Sequence, residues 1–451
     1  MKIISEASET ILTILKKFQK QDPCTRWLQF CVETTVNEGV LVFNLLTREL
    51  ILLTEEEYAS FTELDYLREH WFAVPENTKD KELADFVKWL LAARQPKSKE
   101  ITGYTIFPTT DCNARCFYCF ELGRSRIPMS CETAEKVVQY IKKHCGGKEV
   151  SLTWFGGEPL FNAEVIDIIS QGLRKEGIEF HSKMVSNGYL FDDGLVQKAV
   201  TLWNLKRVQI TLDGTEKVYN KIKAYIYRDT NPFEIVLDNI DRLLEADIQV
   251  SVRLNMDLHN ADDLLTLSHE LAERFSGRKG FSVYAHHLFD ASKPMAELHK
   301  DDEWEKREAA MCRLTDCFAQ YGLQKKGGIR KSIKLNHCKA DSGNAVTILP
   351  DGSIGLCEHH TESEFIGHID QEGFDAKTLA SWKEQVPEIP ECAGCFYYMD
   401  CVKIKKCSTS SVCYQGFRSE RLNTTRRAML GQYEHWLANT HTEEDEDTDF
   451  F

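Results

Sequence analysis

The sequence predicts an α/β fold: a partial TIM-like (β/α)6 barrel flanked by a small N-terminal winged-helix-like unit and a C-terminal segment of little regular structure. Three observations predict it. Between residues 101 and 288, short β-branched or aromatic runs alternate with amphipathic helical patterns. Before that stretch the pattern reads helix, hairpin, helices. After residue 338 cysteines, glycines and turn residues replace periodicity.

The central alternation predicts strands at 101–107, 149–155, 180–186, 206–212, 248–256 and 281–288, with helices at 131–144, 163–175, 233–245 and 262–275. In the last helix Leu264, Leu267, Leu271 and Phe275 repeat at helical spacing, which turns one apolar face to a sheet. Such alternation implies a parallel sheet covered by helices. Six units exceed a mononucleotide-binding half and fall short of eight, which favours an open barrel over a doubly wound sheet. In residues 1–95, Ile11, Leu12, Leu15 and Phe18 mark a helix, 40–43 and 50–53 a hairpin, and two helical segments end near Leu91. Residues 95–98 read as a linker, and 291–337 as a bridge to the cysteine-rich segment 338–435. That segment has too little apolar surface to fold alone, and metal binding would supply the missing free energy. Residues 436–451, with the acidic run 443–447, read as a solvated tail.

Of 451 residues 55 are basic and 70 acidic, a net charge of -15. That field repels phosphate backbones and argues against nucleic acid as a partner. No apolar run approaches the ~20 residues of a membrane span, and Glu6 and Glu9 stand where a secretory signal needs an unbroken apolar run, so a cytoplasmic protein without a membrane partner is expected. Sixteen cysteines in such a compartment stay reduced, which favours metal ligation over disulfides. Three fall within eight residues near position 115 and seven follow position 337. Cys24, Cys31, Cys131 and Cys145 stand apart and read as small buried hydrophobes.

Cys112, Cys116 and Cys119 have the spacing C-x3-C-x2-C in a loop directly after the first predicted strand. Three thiolates on one tight loop suit three irons of a cubane cluster and leave the fourth iron open. Zinc usually wants a fourth protein ligand, and no nearby cysteine or histidine supplies one. Here the sequence resembles the radical SAM superfamily, whose defining motif matches Cys112-Asn113-Ala114-Arg115-Cys116-Phe117-Tyr118-Cys119. The resemblance covers about residues 101–290. It implies that the open iron chelates S-adenosylmethionine (SAM), whose reductive cleavage gives a 5′-deoxyadenosyl radical. It also implies cofactor contacts at Tyr118 and at the ends of later strands. Trp154-Phe155-Gly156-Gly157-Glu158-Pro159 resembles the family's G-G-E-P segment; its glycines allow close backbone approach, and its carboxylate is expected to take the ammonium of the methionine moiety. Ser186-Asn187-Gly188 and Thr211-Leu212-Asp213-Gly214 resemble the segments that contact ribose and carboxylate, and Arg253 and Lys223 are further candidates for the carboxylate.

Cys338 and Cys357 bracket Gly352 as C-x13-G-x4-C, and Cys392-x2-Cys395-x5-Cys401-x5-Cys407-x5-Cys413 follows. This resembles the SPASM domain, which in related peptide-modifying enzymes holds two auxiliary [4Fe–4S] clusters and brings the expected total to three. The resemblance gives Cys392, Cys395, Cys401 and Cys413 to one cluster and Cys338, Cys357 and Cys407 to the other, although five residues rather than the usual three separate Cys401 from Cys407. The fourth ligand of the nearer cluster is Cys312, Cys317 or an open site. Glu358 stands where related maturases place an acidic residue, and partial desolvation would raise its basicity for accepting a substrate proton.

Residues 1–95 carry 11 basic and 16 acidic side chains, a net of -5 that argues against DNA. Their position resembles the precursor-recognition domains of peptide-maturing enzymes, which add a leader peptide as an extra strand, here at the hairpin edge 40–53. Together the resemblances imply an enzyme that abstracts hydrogen from a ribosomally made precursor peptide and installs a cross-link, a thioether being expected, with electrons from a flavodoxin- or ferredoxin-type reductant. The rivals are a formylglycine-generating, anaerobic sulfatase-maturase-type enzyme and a non-catalytic iron–sulfur electron carrier. The leader-binding unit argues against the first, and the intact G-G-E-P segment against the second.

Overall fold

The computed structural model describes the chain except for residues 19–22, 96–99, 120, 124, 289–302, 325–326, 360–363, 408–412, 414 and 447–451. Most of the expected linker and the last acidic residues lie outside the described residues.

The N-terminal unit runs β1 (Lys2–Ser5), α1 (Glu9–Leu15), β2 (Arg26–Trp27), β3 (Cys31–Val36), β4 (Gly39–Asn44), β5 (Glu49–Leu53), α2 (Glu55–Ala59), α3 (Asp65–Glu69), β6 (Ala73–Val74) and α4 (Asp80–Arg94). Thr54 starts α2 with a capping box, its hydroxyl accepting from the Glu57 amide while Glu57 accepts from the Thr54 amide. The predicted hairpin is β4–β5, but neither strand is an edge. The antiparallel order is β1-β5-β4-β3. Every β5 residue is buried, as are all but Val40 of β4, so both strands need neighbours on each side. This corrects the expected docking edge at 40–53. The unit is also not separate: Leu28, Phe43 and Trp71 share one core with Ile329, Ile333, Met399, Met429 and Tyr433 from the far end of the chain.

The barrel follows as β7 (Gly103–Thr109), α5 (Cys131–His144), β8 (Val150–Gly156), α6 (Ala163–Lys175), β9 (Phe180–Ser186), α7 (Asp193–Thr201), β10 (Leu205–Leu212), α8 (Glu216–Lys223), α9 (Pro232–Glu245), β11 (Gln249–Met256), α10 (Ala261–Phe275) and β12 (Phe281–His287). All six strands are parallel and lie in sequential order, without the reversal of a doubly wound sheet. The α/β partial barrel is therefore the fold. Trp154, Trp203 and Tyr219 fill its core without exposure. Only α7 and α8, of nine and eight residues, escaped the sequence pattern.

The C-terminal part is more ordered than its composition suggests. After α11 (Trp304–Gln320), β13 (Ala345–Ile348) joins β7 in parallel, and β14 (Ser353–Gly355) and β15 (Gly367–His368) extend the sheet to nine strands. A 32-residue helix, α12 (Gln415–Glu446), crosses the expected boundary at 435, so residues 443–446 continue a helix. Its burial rests on a few positions at helical spacing, Met429 and Tyr433 above all, scattered among polar residues. No helix among the described residues is long and apolar enough to cross a membrane.

Candidate functional site

Ligands of parallel barrels bind at the carboxyl ends of the strands, and the predicted site residues gather there. The Cys112–Cys119 loop leaves β7, and its start is fixed by short bonds: Asp111 Oδ1 accepts from the Cys112 amide at 2.8 Å, and Cys112 Sγ from the Ala114 amide at 3.3 Å. Asn187, after β9, donates to Asn113 Oδ1 at 2.6 Å and to Cys112 Sγ at 3.7 Å. Gly156 and Gly157, after β8, press against the backbone before the loop. A Cβ on Gly157 would lie 2.2 Å from the Asp111 carbonyl oxygen, and one on Gly156 2.3 Å from that of Thr109, so no side chain fits at either.

The cysteine thiols, Tyr118, Gly156, Gly157, Ser186, Asn187, Thr211 and Arg253 all line one cavity of about 830 Å³. Glu158 does not. Its fully buried carboxylate accepts from the Leu160 amide (3.2 Å), Ser186 Oγ (2.9 Å) and the Asn187 amide (2.8 Å). Burial still pushes it up to about 7 against these bonds. The expected salt link to an ammonium is thus corrected: the carboxylate locks the turn after β9, and the cavity wall here is glycine backbone. Arg253 donates to Asn255 Oδ1 at 2.9 Å and meets His286 Nδ1 at 3.2 Å. Burial and the Arg253 charge hold His286 down at about 4, a neutral ring.

The second thiol set opens on the same space. Cys338, Cys357 and Cys407 line the cavity too, with Glu358 and His337. The Cys338 and Cys357 sulfurs each accept a backbone amide, from Ala340 and His359, at 3.4 Å. His337, which sequence reasoning passed over, places Nδ1 2.8 Å from the Val402 carbonyl and Nε2 3.6 Å from Cys407 Sγ; its one signal was a place beside Cys338. Cys392, Cys395, Cys401 and Cys413 form a separate group, close enough to act on one another electrostatically. Neither candidate fourth ligand joins the Cys338 set: Cys312 Sγ lies 2.9 Å from Arg427 on α12, and Cys317 is buried on α11 facing Ser268. Cys131, expected to be buried, is exposed at the start of α5.

Glu358 also departs from expectation. Burial works to raise its carboxyl, but Lys339 Nζ at 2.7 Å outweighs burial and holds it below the ordinary value. An ion-paired carboxylate is a poor proton acceptor.

The thiol-rich lining of the cavity suits an iron–sulfur group. Burial pushes the Cys112 and Cys357 thiols up to about 12, so thiolates persist there only beside a cation. Among the described residues no three His, Cys, Asp or Glu side chains close on a single-metal site, and Asn113 Nδ2 is buried beside the loop without a partner. Three thiols on one loop at the carboxyl end of a partial barrel suit an enzyme built around an iron–sulfur cluster.

Comparison with known proteins supports that class. The radical SAM superfamily profile matches residues 106–270. A probable GTP 3′,8-cyclase of Archaeoglobus fulgidus is 33% identical over 57% of this chain and 86% of its own. The GTP 3′,8-cyclase of Rhodopirellula baltica is 31% identical over 33% of this chain, and the match spans 40% of that protein. A serine-type anaerobic sulfatase-maturating enzyme of Klebsiella aerogenes is 21% identical over 64% of this chain and 76% of its own. Among solved structures, anSMEcpe with bound AdoMet superposes with a TM-score of 0.58 at 15% identity, over 74% of this chain and 95% of that one. Streptococcus suis SuiB bound to its precursor peptide SuiA gives 0.51 at 12% identity, over 84% and 95%. The chain belongs to the radical SAM superfamily, whose enzymes use a [4Fe–4S] cluster and SAM.

Proposed function

We propose that the protein is a peptide maturase that abstracts hydrogen from a ribosomally made precursor and installs a cross-link, a thioether from a cysteine sulfur to carbon. The observation that carries this reading is the shared cavity: Cys112, Cys116 and Cys119 line the same space of about 830 Å³ as Cys338, Cys357 and Cys407, room for substrate side chains beside both thiol sets. Three [4Fe–4S] clusters would sit on the three thiol sets, the fourth position of the Cys338 set being left to His337 or to the substrate. The superfamily cluster, with SAM, supplies a 5′-deoxyadenosyl radical when reduced, here by a flavodoxin- or ferredoxin-type protein. Gly156, Gly157, Ser186, Asn187 and Thr211 bind and orient SAM, Arg253 takes its carboxylate, and Tyr118 braces the loop.

The leader peptide would add to the N-terminal sheet at the outer edge of β1, where Lys2 and Ile3 are exposed. The helix α12 reaches both edges: Arg426 donates to the Glu33 carbonyl of β3 at 3.0 Å, and the Lys2 ammonium of β1 lies 5.5 Å from the centre of the Trp436 ring. SuiB is solved with its precursor peptide SuiA and anSMEcpe with the Cp18Cys peptide, which supports a peptide as substrate. The anSMEcpe likeness also favours a second reading, oxidation of serine or cysteine to formylglycine. Reaction with a candidate precursor peptide, followed by tandem mass spectrometry, separates the two. A loop that resists fragmentation supports the cross-link; an aldehyde trapped by a hydrazine overturns it.

A further inference from the structure

Lys223, at the end of α8, is buried with its side chain 4% exposed beside the first cysteine loop. Its ammonium lies 2.9 Å from Asp213 and donates to Tyr118 Oη at 3.0 Å. Tyr118 stands between Cys116 and Cys119, donates to Asp213 Oδ2 at 2.8 Å and accepts from Asn255 at 3.3 Å. The backbone repeats the connection. The Lys223 carbonyl accepts from the Arg115 amide at 2.8 Å, and the Ile226 amide donates to the Asn113 carbonyl at 2.9 Å. Between them Ala224 takes a left-handed conformation (φ 45°), a strained state for a residue with a side chain, which turns residues 223–226 into a strap along the loop.

A buried ion pair is weak evidence for stability, since a well-packed apolar pair often serves as well. What it supplies is a fixed pair of charges with little exposure to water; both ends hold Tyr118, and the ammonium belongs to the segment whose backbone is also bonded along the loop. Iron–sulfur potentials follow local charge, hydrogen bonding and exposure, and an added electron makes the thiolate–iron unit more negative.

We propose that Lys223 is a positioning residue whose buried ammonium, held by Asp213 and Tyr118, favours the reduced state of the cluster carried by Cys112, Cys116 and Cys119. Asp213 opposes it, so the pair sets the potential by difference: removing the cation should disfavour reduction and removing the anion should favour it.

The test is anaerobic redox titration of the reconstituted enzyme followed by electron paramagnetic resonance, with iron analysis of each sample. The relevant signal is the one that shifts on adding SAM and is missing when Cys112, Cys116 and Cys119 are all Ala. Lys223→Met should lower the reduced-to-oxidised ratio at fixed potential about tenfold, a midpoint lower by about 59 mV for a one-electron couple. Lys223→Arg should stay near the native midpoint, and Asp213→Asn should move it upward. Midpoints of Lys223→Met and Asp213→Asn that move in the same direction, or ratios that change by less than about threefold, overturn the proposal. If Lys223→Met fails to hold iron, Asp213→Asn decides: a midpoint that does not rise overturns it.

Discussion

The N-terminal unit is clamped to the cysteine-rich segment by one buried ion pair. Arg48, 1% exposed, forks onto Asp400, 10% exposed, with Nη1 2.8 Å from Oδ2 and Nη2 on Oδ1. Asp400 directly precedes Cys401 and also accepts from the Lys334 amide at 3.0 Å. Replacing Arg48 with Met keeps length and removes charge, which strands the carboxylate in the interior. Loss of one member of a buried pair costs about 3–5 kcal/mol. Because the unit shares its core with the C-terminal segment, the body that melts is larger, and the melting midpoint should fall by about 6 °C or more. Thermal unfolding followed by tryptophan fluorescence reads it, with iron content measured alongside. The double variant Arg48→Met/Asp400→Asn strands no charge and should recover part of the loss. A loss in Arg48→Met below about 1 kcal/mol, the worth of an exposed pair, would refute the reasoning.

Replacing Cys112, Cys116 and Cys119 together by Ala should abolish 5′-deoxyadenosine formation from SAM, measured by chromatography, while the other two thiol sets keep their iron. Glu358→Gln should lower mature product by less than about tenfold, the low end of what losing a general base costs, because Lys339 already holds the carboxylate ionised; a larger fall restores Glu358 as the proton acceptor. Glu158 gives a pH signature. With its folded value raised to about 7 from 4.5, the folded protein keeps a proton that the unfolded chain loses in that window, so stability should fall as pH rises through it, by about 3 kcal/mol, and then level off. Melting of Glu158→Gln across the same range should lack that slope; an equal slope places the titration elsewhere.

The sequence by itself determined the barrel and the ends of its strands. Local alternation suffices there, because each strand–helix unit carries its own period and the parallel sheet joins successive units: β9 lies at 180–186 and α5 and α6 at 131–144 and 163–175, as the pattern predicts. The cysteine spacing likewise placed the first loop, since C-x3-C-x2-C acts within one turn of chain. Only the tertiary structure decided what depends on distant partners. Glu158 was legible as a motif residue, but whether its carboxylate faces a ligand or the Asn187 amide depends on how the turn after β9 folds against it. Glu358 and Lys339 are far apart in sequence and 2.7 Å apart in space, which reverses the basicity expected from burial alone. Lys223 reads as an ordinary charge at a helix end until the fold brings that end of α8 against Tyr118. The edges of the N-terminal sheet were illegible for the same reason: β1 and α12, 410 or more residues apart, meet at it, and no local pattern encodes a contact across that distance.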